Sequence, residues 1–184
     1  DAAVDIEEKA RALRALARSR VRAADATVRA CLGSSDAAIR THDAYAIRYA
    51  DREDLADDLR SAWQREVDPA CRGAMLFDWG LLAGPDVQPL LQAMLASQDP
   101  WTVLAAARVQ LRWGVRQAAG PLFVLAVSPN AALRGVAQEE LRYMLVPLAT
   151  MIGQILPVPD VGPAAWSDEQ VSVLKAWWEG CVTP

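Results

Sequence analysis

The chain has 184 residues and a mass of 20.0 kDa, enough for one domain with a sizeable core. Hydrophobic residues make up 53% and charged residues 23%, which excludes a disordered chain. A net charge of −4 and a pI near 5.0 argue against nucleic acid as the main ligand, because phosphate-binding surfaces are usually basic.

The chain opens on Asp1 without an initiator Met, so it is expected to start inside a longer gene product. A cytoplasmic location is favoured, with a periplasmic one after signal-peptide removal as the alternative. From Val4 to Leu32, apolar Leu13, Leu16, Val21, Val28 and Leu32 alternate with Arg11, Arg14, Arg18, Arg20, Arg22 and Arg29. This spacing predicts a helix pair breaking near Ser19–Arg20, with a single long helix as the alternative. The arginines form a basic face, expected to neutralise an acidic cluster one repeat later.

Four similar helix starts follow. "SSDAAIRTHDAYAIRYAD" begins at Ser34, "EVDPACRGAMLFDWGLL" at Glu66, "SQDPWTVLAAARVQLRWG" at Ser97 and "SPNAALRGVAQEELRYML" at Ser128. Their capping residues, Asp36, Asp68, Asp99 and Asn130, are separated by 32, 31 and 31 residues. Pro69 and Pro100 suit the first helical turn. Three residues past each cap stand Ile39, Cys71, Thr102 and Leu133; one further on stand Arg40, Arg72, Val103 and Arg134. Eleven past the cap come Ile47, Trp79, Gln110 and Leu141, so the third unit deviates twice. A constant interval of this length is the signature of a solenoid.

Second helices are expected at Asp54–Trp63, Asp86–Leu95 and Gln117–Val127. The intervening "ADRED", "AGPD" and "WGVR" are short, as antiparallel helix pairs require. No strand alternation is visible. The longest apolar stretch, Met144 to Leu156, contains Pro147, Gly153 and Gln154 and falls short of the ~20 residues of a membrane span. A soluble chain is expected. After Leu156, "PVPDVGPAA" reads as a connector. In "WSDEQVSVLKAWWEG" a last helix follows, with Ser167 and Gln170 as a capping box and Trp166 stapled onto Val171. This helix is expected to cover the open end of the stack.

Paired helices with a cap, an apolar residue, an Arg and then small residues ("DPACRGAM", "PNAALRGVA") resemble HEAT-like repeats. The short period is similar to that of the phycobilin-lyase and bacterial HEAT group, and the resemblance covers Asp36 to Leu156. It implies an all-α, right-handed HEAT-like solenoid of four to five antiparallel helix pairs with a C-terminal capping helix. The expected layout is one domain: a degenerate pair over 1–33, repeats over 34–156, and connector with capping helix over 157–184.

Few residues point to chemistry. His42 is the sole histidine and reads as a packed helix residue, with no Ser or Cys nucleophile marked by a motif. Cys31, Cys71 and Cys181 form neither a CxxC pair nor a zinc spacing; the first two read as small buried hydrophobes and Cys181 as exposed. No catalytic residue, cofactor or metal is expected. Asp51, Glu53, Asp54, Asp57 and Asp58 form the densest charge cluster. Acids at a helix start favour its dipole, and the same cluster suits a basic partner. It lacks the alternating ligands of an EF-hand loop.

Seven tryptophans divide between repeat packing and the C-terminal helix, where Trp166, Trp177 and Trp178 are expected to seal the last repeat. A tryptophan such as Trp63 is the alternative binding anchor. "PLFVLAV" and "LVPLATMIGQIL" are apolar nearly all round and must be covered. The resemblance places such second helices on a concave surface, so an apolar groove is expected, closed by the last helix or by a partner.

The expected function is that of a non-enzymatic scaffold, adaptor or inhibitor in a bacterial system. It would bind a partner protein with a basic surface through the second helices and Asp51, Glu53, Asp54, Asp57, Asp58 and Trp63. A monomer without nucleic-acid partner or membrane span is expected. The resemblance also implies two alternatives: tetrapyrrole handling, as in phycobilin lyases, and base excision, as in HEAT-like alkylpurine DNA glycosylases. The second needs a basic concave face, and the acidic second unit opposes it.

Overall fold

The computed structural model describes residues 2–19, 21–158 and 165–182, and among these every regular element is helical. In order they are α1 (Ala2–Ser19), α2 (Arg22–Cys31), α3 (Ala37–Tyr49), α4 (Ala56–Arg65), α5 (Pro69–Ala83), α6 (Gln88–Met94), α7 (Pro100–Arg112), α8 (Ala119–Leu125), α9 (Ala131–Met151) and α10 (Asp168–Val182). Single 3₁₀ turns, Glu53–Leu55, Pro85–Val87 and Arg116–Ala118, lead into α4, α6 and α8. No helix among the described residues is long and apolar enough to cross a membrane.

The four helix starts share one construction. Asp36 accepts from the Ala38 N–H, Asp68 from Cys71, Asp99 from Trp101 and Thr102, and Asn130 from Ala132 and Leu133. Each side chain satisfies amides that the first turn leaves unpaired. Two residues earlier, Ser34, Ser97 and Ser128 accept from the N–H of the capping residue itself. Glu66 does the same for Asp68 at 2.9 Å. The arginines four past the cap tie these starts together. Arg40 makes a two-pronged pair with Glu66 (2.5 and 2.8 Å), and Arg72 reaches Asp99 at 2.9 Å. Val103 interrupts the series.

The turns repeat as well. Asp51, Gly84 and Gly114 have φ of 52°, 75° and 82°, the left-handed conformation that ends a helix and reverses the chain. The fourth unit differs. The equivalent position is Leu145, which offers no such stop, and α9 runs unbroken until Gly153 (φ 67°). "LVPLATMIGQIL" is therefore the C-terminal part of α9 and the turn beyond it, not a separate second helix. Pro147 lies inside α9 without ending it.

The chain forms two compact units, Asp1–Val109 and Gln110–Pro184. In the first, α3 packs against both α1 and α5, α2 against α1 and α3, and α4 against α5. Leu55, Leu59, Met75, Leu76 and Leu91 are fully buried in this unit. Helix α5 lies so close to α7 that a Cβ at Gly80 would meet Val109 at 2.9 Å. In the second unit α8 packs against α9 and α10, around Leu122, Leu133, Leu141, Leu145 and Leu174.

Candidate protein-binding surface

The acidic cluster is built around an arginine. Arg52 follows the left-handed Asp51 and is only 1% exposed. Its guanidinium grips Asp54 with two hydrogen bonds (2.7 and 2.6 Å), reaches Asp25 of α2 at 2.7 Å and donates to the Ala17 carbonyl of α1 at 3.1 Å. The bonds to Asp54 and Asp25 outweigh burial and hold the guanidinium even more firmly charged than usual. A buried cation with this many partners fixes the geometry of the turn.

Asp25, Asp51, Glu53 and Asp54 line an open depression of about 430 Å³ with Arg52 at its base. Asp58 is paired with Arg29 at 2.8 Å. Glu53 and Asp57 are exposed, with no ion pair among the described residues. Trp63 does not line this depression. Its ring stacks on Trp79, with centroids 5.4 Å apart and planes 8° from parallel, and Arg60 stands over the Trp79 ring. Its indole N–H is buried and has no hydrogen-bond partner among the described residues.

Among the described N-terminal arginines, the expected neutralisation holds for Arg29 alone. Arg11 and Arg14 have no carboxylate partner among the described residues, and Arg18 lies over the Tyr49 ring at 4.5 Å. Arg20 and the side chain of Arg22 lie outside the described residues. Arg52 balances part of the charge instead, held between Asp54 and Asp25. The signal for Arg52 was its place between acids in "ADREDLADD"; nothing in the sequence marked Asp25.

Other polar groups of the first unit are shifted by burial. Asp43 of α3 is fully buried, neither carboxylate oxygen has a hydrogen-bond partner among the described residues, and burial pushes it up to about 8. Burial, with the nearby Asp43, raises the Cys31 thiol, and burial pushes Cys71 up to about 11. Both thiols are held away from the nucleophilic thiolate. Cys31, Cys71 and Cys181 are free, and His42 is half-buried on α3. Among the described residues no group of three or more His, Cys, Asp or Glu is placed to hold a metal ion.

In the second unit α10 packs against α8, while Val124, Met151 and Ile155 stay exposed. Ser167 and Gln170 form the reciprocal capping box, and Trp166 and Val171 are each 2% exposed. Leu174 and Trp178 continue this buried stripe. Trp177 does not join it: its ring is half-buried and its indole donates to Gln154 at 2.8 Å. Connector residues 159–164 lie outside the described residues. An open depression of about 180 Å³ remains among Leu111, Met144, Pro147, Leu148, Met151 and Trp178.

Comparison with protein-family models, with curated proteins and with solved structures finds no match.

Proposed function

We propose that the chain is a non-enzymatic, HEAT-like solenoid scaffold that binds a basic partner protein along the edge formed by Asp51, Glu53, Asp54, Asp57 and Asp58. The repeat reading is supported by four helix starts of common construction and by the couplings Arg40–Glu66 and Arg72–Asp99 between successive starts. The observation that carries the binding reading is the buried Arg52. It draws Asp54 and Asp25 into one fixed network while Glu53 and Asp57 stay exposed. An edge held this way meets a cationic partner with little ordering cost. Trp63 sits further along the same helix as Asp57 and Asp58; its stack on Trp79 makes it a rigid, half-buried flank of the surface.

Quantitative affinity purification from the source cells tests this reading. A basic protein should be enriched on the wild-type chain and lost on Glu53→Lys/Asp57→Lys. The same proteins on both baits would reject the acidic edge as the binding surface.

A further inference from the structure

We propose that a ladder of arginines and aromatic rings on α1, α3, α5 and α7 is a second docking surface, which takes an acidic segment of a partner protein. The ladder is continuous. Arg18 of α1 lies over Tyr49 of α3 at 4.5 Å, and Tyr49 stacks on Tyr45 at 5.6 Å. Arg48 stands over Tyr45 at 5.0 Å and over Phe77 of α5 at 5.6 Å; Arg108 of α7 lies over the same Phe77, itself 8% exposed, at 3.9 Å, so the two arginines and not the ring present the surface there. Buried Asp78 pairs with Arg48 and anchors the middle of the ladder.

The helical register extends this surface on α1. Ala10, Leu13 and Ala17 form its buried stripe, so Arg11, Arg14 and Arg18 form the stripe one residue round. None of these three has a carboxylate partner among the described residues, and Tyr49 is 47% exposed. Unpaired cations beside a preordered aromatic row offer charge and apolar contact together. Arginine and tyrosine of this kind are enriched where proteins bind proteins.

Charge complementarity selects an acidic occupant, and the surroundings favour a short protein segment over nucleic acid. Arg52 donates to Ala17, so the acidic edge begins where the arginine stripe of α1 ends. A long polyanion laid along the ladder would run into Asp51, Glu53 and Asp54, whereas a segment with a few carboxylates would not. This surface is independent of the basic partner proposed for the acidic edge.

The test is fluorescence anisotropy of a short labelled peptide alternating glutamate and phenylalanine, titrated with the full chain at physiological ionic strength. Saturable binding is expected. It should weaken at least about tenfold in Arg11→Glu/Arg14→Glu and stay unchanged in Glu53→Gln/Asp57→Asn. Circular dichroism checks that each variant is folded; if the double reversal is not, Arg11→Gln, at an exposed position, should weaken binding several-fold. Absence of binding by the wild type, or equal affinity in a folded arginine variant, overturns the proposal. Duplex DNA bound more tightly than the peptide, and lost in the same variants, also overturns it by assigning the ladder to nucleic acid.

Discussion

Gln138 holds Trp166 by both ends of its amide: its Oε1 accepts from the Trp166 N–H at 2.9 Å and its Nε2 donates to the Trp166 carbonyl at 3.0 Å. The same Nε2 donates to the Ala126 carbonyl at 2.8 Å, so one buried side chain joins α9, the end of α8 and the start of α10. Gln138→Leu removes three hydrogen bonds to backbone groups and should cost roughly 2–4 kcal/mol. Hydrogen exchange at the Trp166 amide reads this directly: slow in the wild type, fast in the variant. Unchanged exchange would mean that Gln138 does not fasten α10.

The paired tryptophans of α10 should behave differently. Trp178 is 5% exposed and continues the Val171–Leu174 stripe, so Trp178→Ala should cost roughly 3–5 kcal/mol in urea unfolding. Trp177→Ala removes a half-buried ring and its bond to Gln154, and should cost about 1–2 kcal/mol. The reverse order would place α10 the other way round.

Stability should fall as pH rises from about 4 to about 8. Asp43 has an ordinary value of 3.8 and is pushed up to about 8 by burial without a partner. In that window the unfolded chain has released a proton that the folded chain keeps, so the slope approaches −1.4 kcal/mol per pH unit. Buried Asp78, raised by burial against the pull of Arg48, acts in the same sense. Glu66 works in the opposite sense and in a lower window. Burial pushes its carboxyl up, but Arg40 and the Asp68 N–H more than offset this and hold it at about 2. Its contribution is present above about 4.5 and is lost as pH falls towards 2. Asp43→Asn should flatten the upper slope and raise the unfolding midpoint at pH 8. An unchanged slope would show that Asp43 is ionised in the fold.

Removal of the caps tests the repeat. Asp68→Ala should cost about 0.5–2 kcal/mol. Asp99→Ala should cost more, because Asp99 also accepts from Arg72 and from the Thr102 hydroxyl. Urea midpoints compare the two; equal or negligible losses would separate the motif from stability.

Local signals made the helix starts legible. An Asx residue before Pro or Ala names its own helix N-terminus, and Gly84 and Gly114 name their turns. The same logic misplaced the fourth second helix, because period was followed where Leu145 offers no stop and Gly153 does. The acidic cluster was visible as composition. Its organisation was not: Arg52 is defined by Asp25 and Ala17, distant in sequence, and no pattern encodes that meeting. The Arg–aromatic ladder was hidden for the same reason, since Arg18, Tyr49, Phe77 and Arg108 meet only through the stagger of four helices.

Isothermal titration of the full chain with a short arginine- and lysine-rich peptide tests the central claim most directly, using Glu53→Lys/Asp57→Lys as the comparison. Binding by the wild type that weakens with added salt and is lost in the variant is the result predicted. Equal heats from both proteins, or none from the wild type, would contradict it.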